Sequence, residues 1–148
     1  MMPPTAKTSP RDQFAPAVRF GLIGGIVTVF MAVIGMIETF SKRQIIDGVL
    51  DMGHMIIFIA FYLTGYMALG RIYGAGERPR QAIRAAAVAG LINAAMLAAL
   101  ALILSAAPII RNVFVNMTPA LLDLLTFGQN AIVGSALLLA AGAAFGAL

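Results

Sequence analysis

Residues 131–148 read AIVGSALLLAAGAAFGAL, an apolar run without a single charged side chain. Whether this run crosses a membrane decides between a three-helix and a four-helix protein. As a helix its 18 residues rise about 27 Å, at about 1.5 Å per residue. That is just short of a hydrocarbon core of about 30 Å. The last four carbonyls would then lie at the edge of the lipid. No Lys or Arg follows Leu148 to anchor that end. Two expectations stay open: a bare helix end covered by a partner, or the front part of a longer membrane protein.

The rest of the chain places this run in context. Hydrophobic residues make up 61% of the 148 residues and charged residues only 11%, with a mean hydropathy of +0.95. Soluble domains lie near 45–50% and about 25%, so an integral membrane protein with one membrane domain is expected. Cysteine is absent, which excludes disulfides, thiol catalysis and cysteine-based metal sites. A single His and no Trp remove most metal and aromatic-cage constellations. The net charge of +4 is no nucleic-acid signal, because the basic residues flank apolar runs as orientation signals do.

Three further runs have the length and composition of spans, giving four at 20–37, 54–73, 85–107 and 131–148. Helix is the state that satisfies the backbone in lipid, and the continuous runs do not alternate as barrel strands would. The expected fold class is therefore all-α: a polytopic bundle of four transmembrane helices over residues 20–148. Residues 1–19 carry Pro3, Pro4, Pro10 and Pro16 among polar residues and read as a disordered or extended tail. Lys7, Arg11 and Arg19 in the tail and Arg71, Arg78, Arg80 and Arg84 in the 2–3 loop lie on one side. Lys42, Arg43 and Arg111 lie on the other, a bias of seven to three. The positive-inside rule then puts both termini in the cytoplasm.

Both outer connections read as short interfacial helices. Ser41-Lys42-Arg43-Gln44 fits a capping box, with Phe40 and Ile45 at the positions of a hydrophobic staple. Ile45, Ile46, Val49 and Leu50 would share one face of that helix, opposite Gln44, Asp47 and Asp51, until Gly53 breaks it. In the second connection Thr118 suits an N-cap, Pro119 suits the first helical position and Gly128 ends the turn. Span, interfacial helix and span thus occur twice, a weak internal repeat of a kind found in transporters. Ordinary connectors explain the same pattern.

Side chains with chemistry are few. Few small polar side chains lie inside the runs: Thr28, Thr64, Asn93, Ser105 and Ser135. Thr and Ser can bond their own helix backbone. Asn93 cannot be satisfied that way and should meet another helix or a wet cavity, so Asn93 and Thr64 are the candidate substrate-path residues. Asp47, Asp51 and His54 stand at i, i+4 and i+7. On one helix face they would form a metal or proton-relay site, although a solvated polar face is the plainer reading. Gly21–Gly25, Gly70–Gly74 and Gly142–Gly146 are GxxxG pairs, candidate seams for an oligomer, a partner or the bundle itself. Arg71, Arg78, Arg80 and Arg84 form a basic loop, a topology signal that also suits anionic lipid or a cytoplasmic partner. Asn116-Met117-Thr118 fits a glycosylation sequon, a triplet that often occurs by chance. No hydrolytic triad, phosphate loop or redox motif is present, and no Asp, Glu, Lys or Arg stands at the centre of a span. Intramembrane chemistry usually needs one, so neither an enzyme nor a bound cofactor is expected.

The segment from Asp47 to His54, leading into Gly65-Tyr66, resembles bacterial branched-chain amino acid ABC permeases, which carry a short apolar-Gly/Ala-His turn followed by a span with a Gly-Ala-Tyr-like end. The connector from Phe114 to Gly128 resembles their outer-face helices. The chain departs from the family in being shorter, and Gly76-Glu77-Arg78-Pro79 does not match the Glu-Ala-Ala coupling segment. The resemblance therefore implies the N-terminal membrane region of a permease. It would work by alternating access in the bacterial inner membrane, with a separate cytoplasmic ATPase and a partner membrane subunit or second copy. The rival expectation is an accessory or scaffold subunit of a larger respiratory or photosynthetic membrane complex.

Overall fold

The computed structural model describes residues 10–41, 43–46, 50–76, 78–113 and 115–148, and among them the chain is helical apart from one short hairpin. Helix α1 covers Pro10–Val33, α2 Met36–Thr39, α3 Met52–Gly74, α4 Pro79–Ala106, α5 Pro108–Val113, α6 Pro119–Thr126 and α7 Ala131–Ala147. Strands β1 (Gln44–Ile46) and β2 (Leu50–Asp51) lie between α2 and α3. Three helical segments are long and apolar enough to cross a membrane: Phe14–Val33, Met52–Gly74 and Pro79–Ala106. The pair α6 and α7, bent by 56° at its break, makes a fourth if counted as one span. Helix α7 alone has 17 residues and rises about 26 Å, which is why its neighbour matters to the count.

Local chemistry sets the helix ends. Gly35 (φ 79°) lets the backbone turn left-handed after α1. Helix α4 starts at Pro79, whose fixed φ suits a first helical position, and stops at Ala106 because Pro108 disfavours helix at Ala107. Helix α6 ends with Phe127 and Gly128 both at positive φ, and Gly128 N donates to Asp123 O at 2.7 Å, the long bond of a Schellman motif.

Helix α4 is the centre of the bundle and packs against α1, α3 and α7. One buried cluster, with Ile57, Phe61, Leu97 and Leu104, extends to Leu121 and Leu125 of α6. A second gathers Ala17, Ala68, Ile72, Ala82, Ala85 and Ala89 at the opposite end. The seam between α4 and α7 is backbone against backbone. A Cβ on Gly90 would collide with the carbonyl oxygen of Gly142 and stand 2.8 Å from Gly146 Cα. A Cβ on Gly146 would stand 2.7 Å from Ala86 O. Gly65 of α3 meets the Gly146 backbone as well. Gly21 and Gly25 of α1 lie against Ile92 and Met96 of α4. Two of the GxxxG pairs thus pack inside this bundle, whereas Gly70 and Gly74 face nothing within 4 Å.

Several expectations require correction. Residues 10–19 are helical, so the first helix begins ten residues before the expected start at 20, and residues 1–9 of the expected tail lie outside the described residues. Among the described residues no interfacial helix follows Ser41. Its hydroxyl donates back to Glu38 O at 2.7 Å and closes the turn after α2. Gln44 then pairs with Asp51 and Ile46 with Leu50 in an antiparallel hairpin. The β-branched pair Ile45-Ile46 favours that extended state, and Asp51 is taken by the cap of the next helix. Asp47 and Val49 lie outside the described residues. The second connection contains the expected helix, with Thr118 accepting from Leu121 N at 3.2 Å, preceded by α5, which was not expected.

The glycine geometry predicts a graded response to one added methyl. Gly90→Ala and Gly142→Ala should each lower stability by about 1–3 kcal/mol through overpacking, read from thermal unfolding in detergent. Gly70→Ala should leave it unchanged or raise it by up to about 1 kcal/mol. Equal effects at the three positions would refute the seam.

Candidate functional site

Two polar constellations and one basic cluster stand out. The first sits where α3 begins. Asp51 is the N-cap of α3: its Oδ1 accepts from His54 N at 2.9 Å, and Asp51 N in return donates to His54 Nδ1 at 3.3 Å. This is a reciprocal capping box in which an imidazole does the work usual for Glu or Gln. His54 Nε2 lies 3.0 Å from Leu124 O of α6, so a ring protonated at Nε2 donates to that carbonyl and leaves Nδ1 free to accept. Asp51 Oδ1 also lies 3.0 Å from Nδ1. The ring is 5% exposed. It stacks on Phe127 at 4.6 Å between centroids, and Phe58 of α3 stacks on Phe145 of α7 at 4.5 Å. His54 therefore ties α3 to α6.

Beside it opens a cavity of about 290 Å³ whose lining includes Gln44, Asp51, His54, Asp123 and Phe127. Two carboxylates and an amide make it acceptor-rich, suited to cationic or hydrogen-bond-donating groups. Of the expected triad Asp47, Asp51 and His54, the latter two meet, through a cap and not along a continuous helix face. Asp47 lies outside the described residues. Among the described residues no group of three His, Asp or Glu is placed to hold a metal ion.

The second constellation lies deep in the bundle. Asn93 Nδ2 donates to Thr64 Oγ1 at 2.9 Å, and Thr64 Oγ1 donates to Ala60 O at 2.7 Å. The residues are 0% and 2% exposed, so the proposed path residues are brought together but sealed from both surfaces. Gly24 of α1 completes the junction, since a Cβ there would run into Thr64 Oγ1 and stand 3.1 Å from Asn93 Nδ2. Asn93 Oδ1 is buried without a hydrogen-bond partner. Sequence reasoning found Asn93 and Thr64 but missed Gly24, whose signal was its place beside Gly25 in a run otherwise rich in branched side chains.

The basic cluster lies at the opposite end from His54. Arg71 is in the last turn of α3, Arg78 precedes α4, and Arg80 and Arg84 are one turn apart on α4. All four are exposed. Among the described residues the one ion-pair contact joins His54 and Asp51, so none of these arginines is paired with a described carboxylate. Sequence reasoning also missed the partners of His54, because Asp-x-x-His lacks the usual capping-box residues and Leu124 is 70 positions away.

This arrangement defines a helical bundle with three, or counting the bent pair four, helices of membrane-spanning length and apolarity. No protein-family model matches the chain, and no curated protein or solved structure matches it either.

Replacing His54 by Ala removes a hydrogen bond between elements and half of a capping box, and should cost about 1–3 kcal/mol. Amide exchange in α6 should accelerate with it. Asp51→Asn keeps a good N-cap residue and should cost less. If α6 exchanges at the same rate in His54→Ala as in the parent, the tie is absent. Asn93→Ala should cost only about 0.6 kcal/mol, the average for such bonds in membrane bundles. Denaturation in mixed micelles would measure it.

Proposed function

We propose that the chain is a multi-pass protein of the bacterial inner membrane, with both termini cytoplasmic, acting as a non-enzymatic accessory or scaffold subunit of a larger membrane complex. The observation carrying this reading is the closed interior. Backbone contacts between α4 and α7 fill its middle, and its polar pair Asn93–Thr64 is buried and mutually bonded. Such an interior suits a packing role; among the described residues no carboxylate, imidazole, amine or guanidinium stands at mid-depth. The open Gly70–Gly74 face of α3 leaves room for an adjoining helix. What supports the topology is that Arg19 and the four arginines around the α3–α4 turn share one end of the bundle, where Ala17 packs with Ala68 and Ala82, as the positive-inside rule expects of a cytoplasmic side.

A second reading, the membrane region of an ABC-type permease for a small solute such as a branched-chain amino acid, is favoured by the orphan acceptor Asn93 Oδ1. A buried unsatisfied carbonyl is costly, and a solute donor reaching it in another conformation would relieve that cost. Energy would come from a separate ATPase.

The two readings separate experimentally. Under the subunit reading, a chain tagged at Leu148 and extracted in mild detergent should co-purify with other membrane proteins in fixed ratio, and Asn93→Ala should leave leucine uptake by the cells unchanged. A chain that purifies alone, with uptake reduced by Asn93→Ala at equal expression, favours the permease. A fluorescent reporter fused after Leu148 should fluoresce in the cytoplasm; activity of a periplasmic reporter at that position would refute the topology.

A further inference from the structure

The basic end of the bundle holds more than an orientation signal. Arg78, Arg80 and Arg84 line one groove of about 520 Å³ together with Pro79 and Gln81. Arg80 and Arg84 stand four residues apart on α4 and Arg78 is its N-cap residue, and like charges at that spacing on a helix repel. Guanidinium forks match phosphate oxygens bidentately, so a phosphate group in the groove would offset that repulsion.

The surroundings indicate what carries the phosphate. Helix α4 has 28 residues and rises about 42 Å, some 12 Å more than a hydrocarbon core needs. Its first turns can therefore stand at headgroup depth while the rest spans the lipid. Arg80, Ile83 and Arg84 share one face of α4, at i, i+3 and i+4. The same face continues through Ala87 to Leu91, with Ile83 45% and Leu91 38% exposed. Arginines at the head of a helix face that continues as an outward apolar strip are complementary to a molecule with an anionic head and hydrocarbon tails.

We infer that Arg78, Arg80 and Arg84 form a binding site for the phosphate of an anionic phospholipid, whose acyl chains lie along the exposed face of α4 at Ile83 and Leu91. The inference rests on the membrane reading proposed above. A free phosphate would use the guanidinium groups alone, whereas the lipid uses the strip as well.

The test is native mass spectrometry of the full chain in detergent, titrated with phosphatidylglycerol or with phosphatidylcholine of the same acyl chains. Phosphatidylglycerol should bind about tenfold more tightly, given the attraction of basic side chains for anionic headgroups. The triple variant Arg78→Gln/Arg80→Gln/Arg84→Gln should lose that preference, while Arg43→Gln, between α2 and the hairpin, should keep it. Inorganic phosphate at millimolar concentration should not displace the lipid. Equal binding of the two lipids, or an unchanged preference in the triple variant, overturns the lipid site. Displacement by phosphate at matched ionic strength overturns it in favour of a free-anion site. Carbonate extraction of cell membranes, run in parallel, separates the two layers: a chain released by carbonate overturns the membrane reading and this inference together, and a retained chain without lipid preference overturns the inference alone.

Discussion

The contact of α4 with α7 at Gly90, Gly142 and Gly146 is the constraint on which the remaining packing depends. Between helices in lipid there is no hydrophobic drive to associate, because lipid tails are as apolar as the side chains they would replace. Association must come from dispersion at close range, and dispersion grows only where atoms touch. Glycine removes the side chains that would hold two backbones apart. Gly146 sits between Gly90 on one side and Gly65 on the other, so one residue of α7 fixes its distance to both α4 and α3. Helix α1 then closes the opposite flank of α4 through Gly21, Gly24 and Gly25. Asn93 faces α3 beside the space that Gly24 leaves, and its amide meets Thr64 there.

A short α7 can hold such a position because it is fastened at its start. Asn130 caps it by accepting from Val133 N at 2.9 Å, and Gly134 lies against the Thr126 backbone of α6. Helix α6 in turn is held by the His54 bond to Leu124 O and the stack on Phe127. The imidazole at the head of α3 is thus joined to the seam by a series of contacts: His54 to α6, α6 to the start of α7, and α7 through Gly142 and Gly146 to α4. His54 is better understood as a positioning group in this chain of contacts than as a ligand.

Much of the architecture was legible in the sequence. The apolar runs gave the long helices because a continuous apolar stretch has only one satisfied backbone state in lipid, and the Thr118-Pro119 signature gave α6. The first connection was misread because two local signals competed there. Ser41 to Gln44 fits a helix start, but Asp51 three residues before His54 fits another, and the second one wins by gaining Leu124 and Phe127 as tertiary partners. Periodicity cannot weigh a partner 70 residues away. The same limit explains the glycines. Gly90, hidden in an alanine-rich run, carries more contact than Gly70 and Gly74, which have the better motif and face nothing within 4 Å. A GxxxG pattern states that a backbone can be approached, and only the placement of the other helices states whether it is.

The two ends of the bundle differ in chemistry as sharply as they differ in position. At one end Asp51, Asp123 and the Leu124 carbonyl create an acceptor-rich cavity; at the other, exposed arginines surround the α3–α4 turn. Between them the described interior holds a single side chain–side chain hydrogen bond, Asn93 to Thr64. The described carboxylates and arginines and His54 stand towards the two rims. The interior is built for close helix contact, and the recognition proposed for the chain therefore falls on the rims and the outward faces: the acceptor-rich cavity at the His54 end, the arginines at the other, and the open Gly70–Gly74 face of α3.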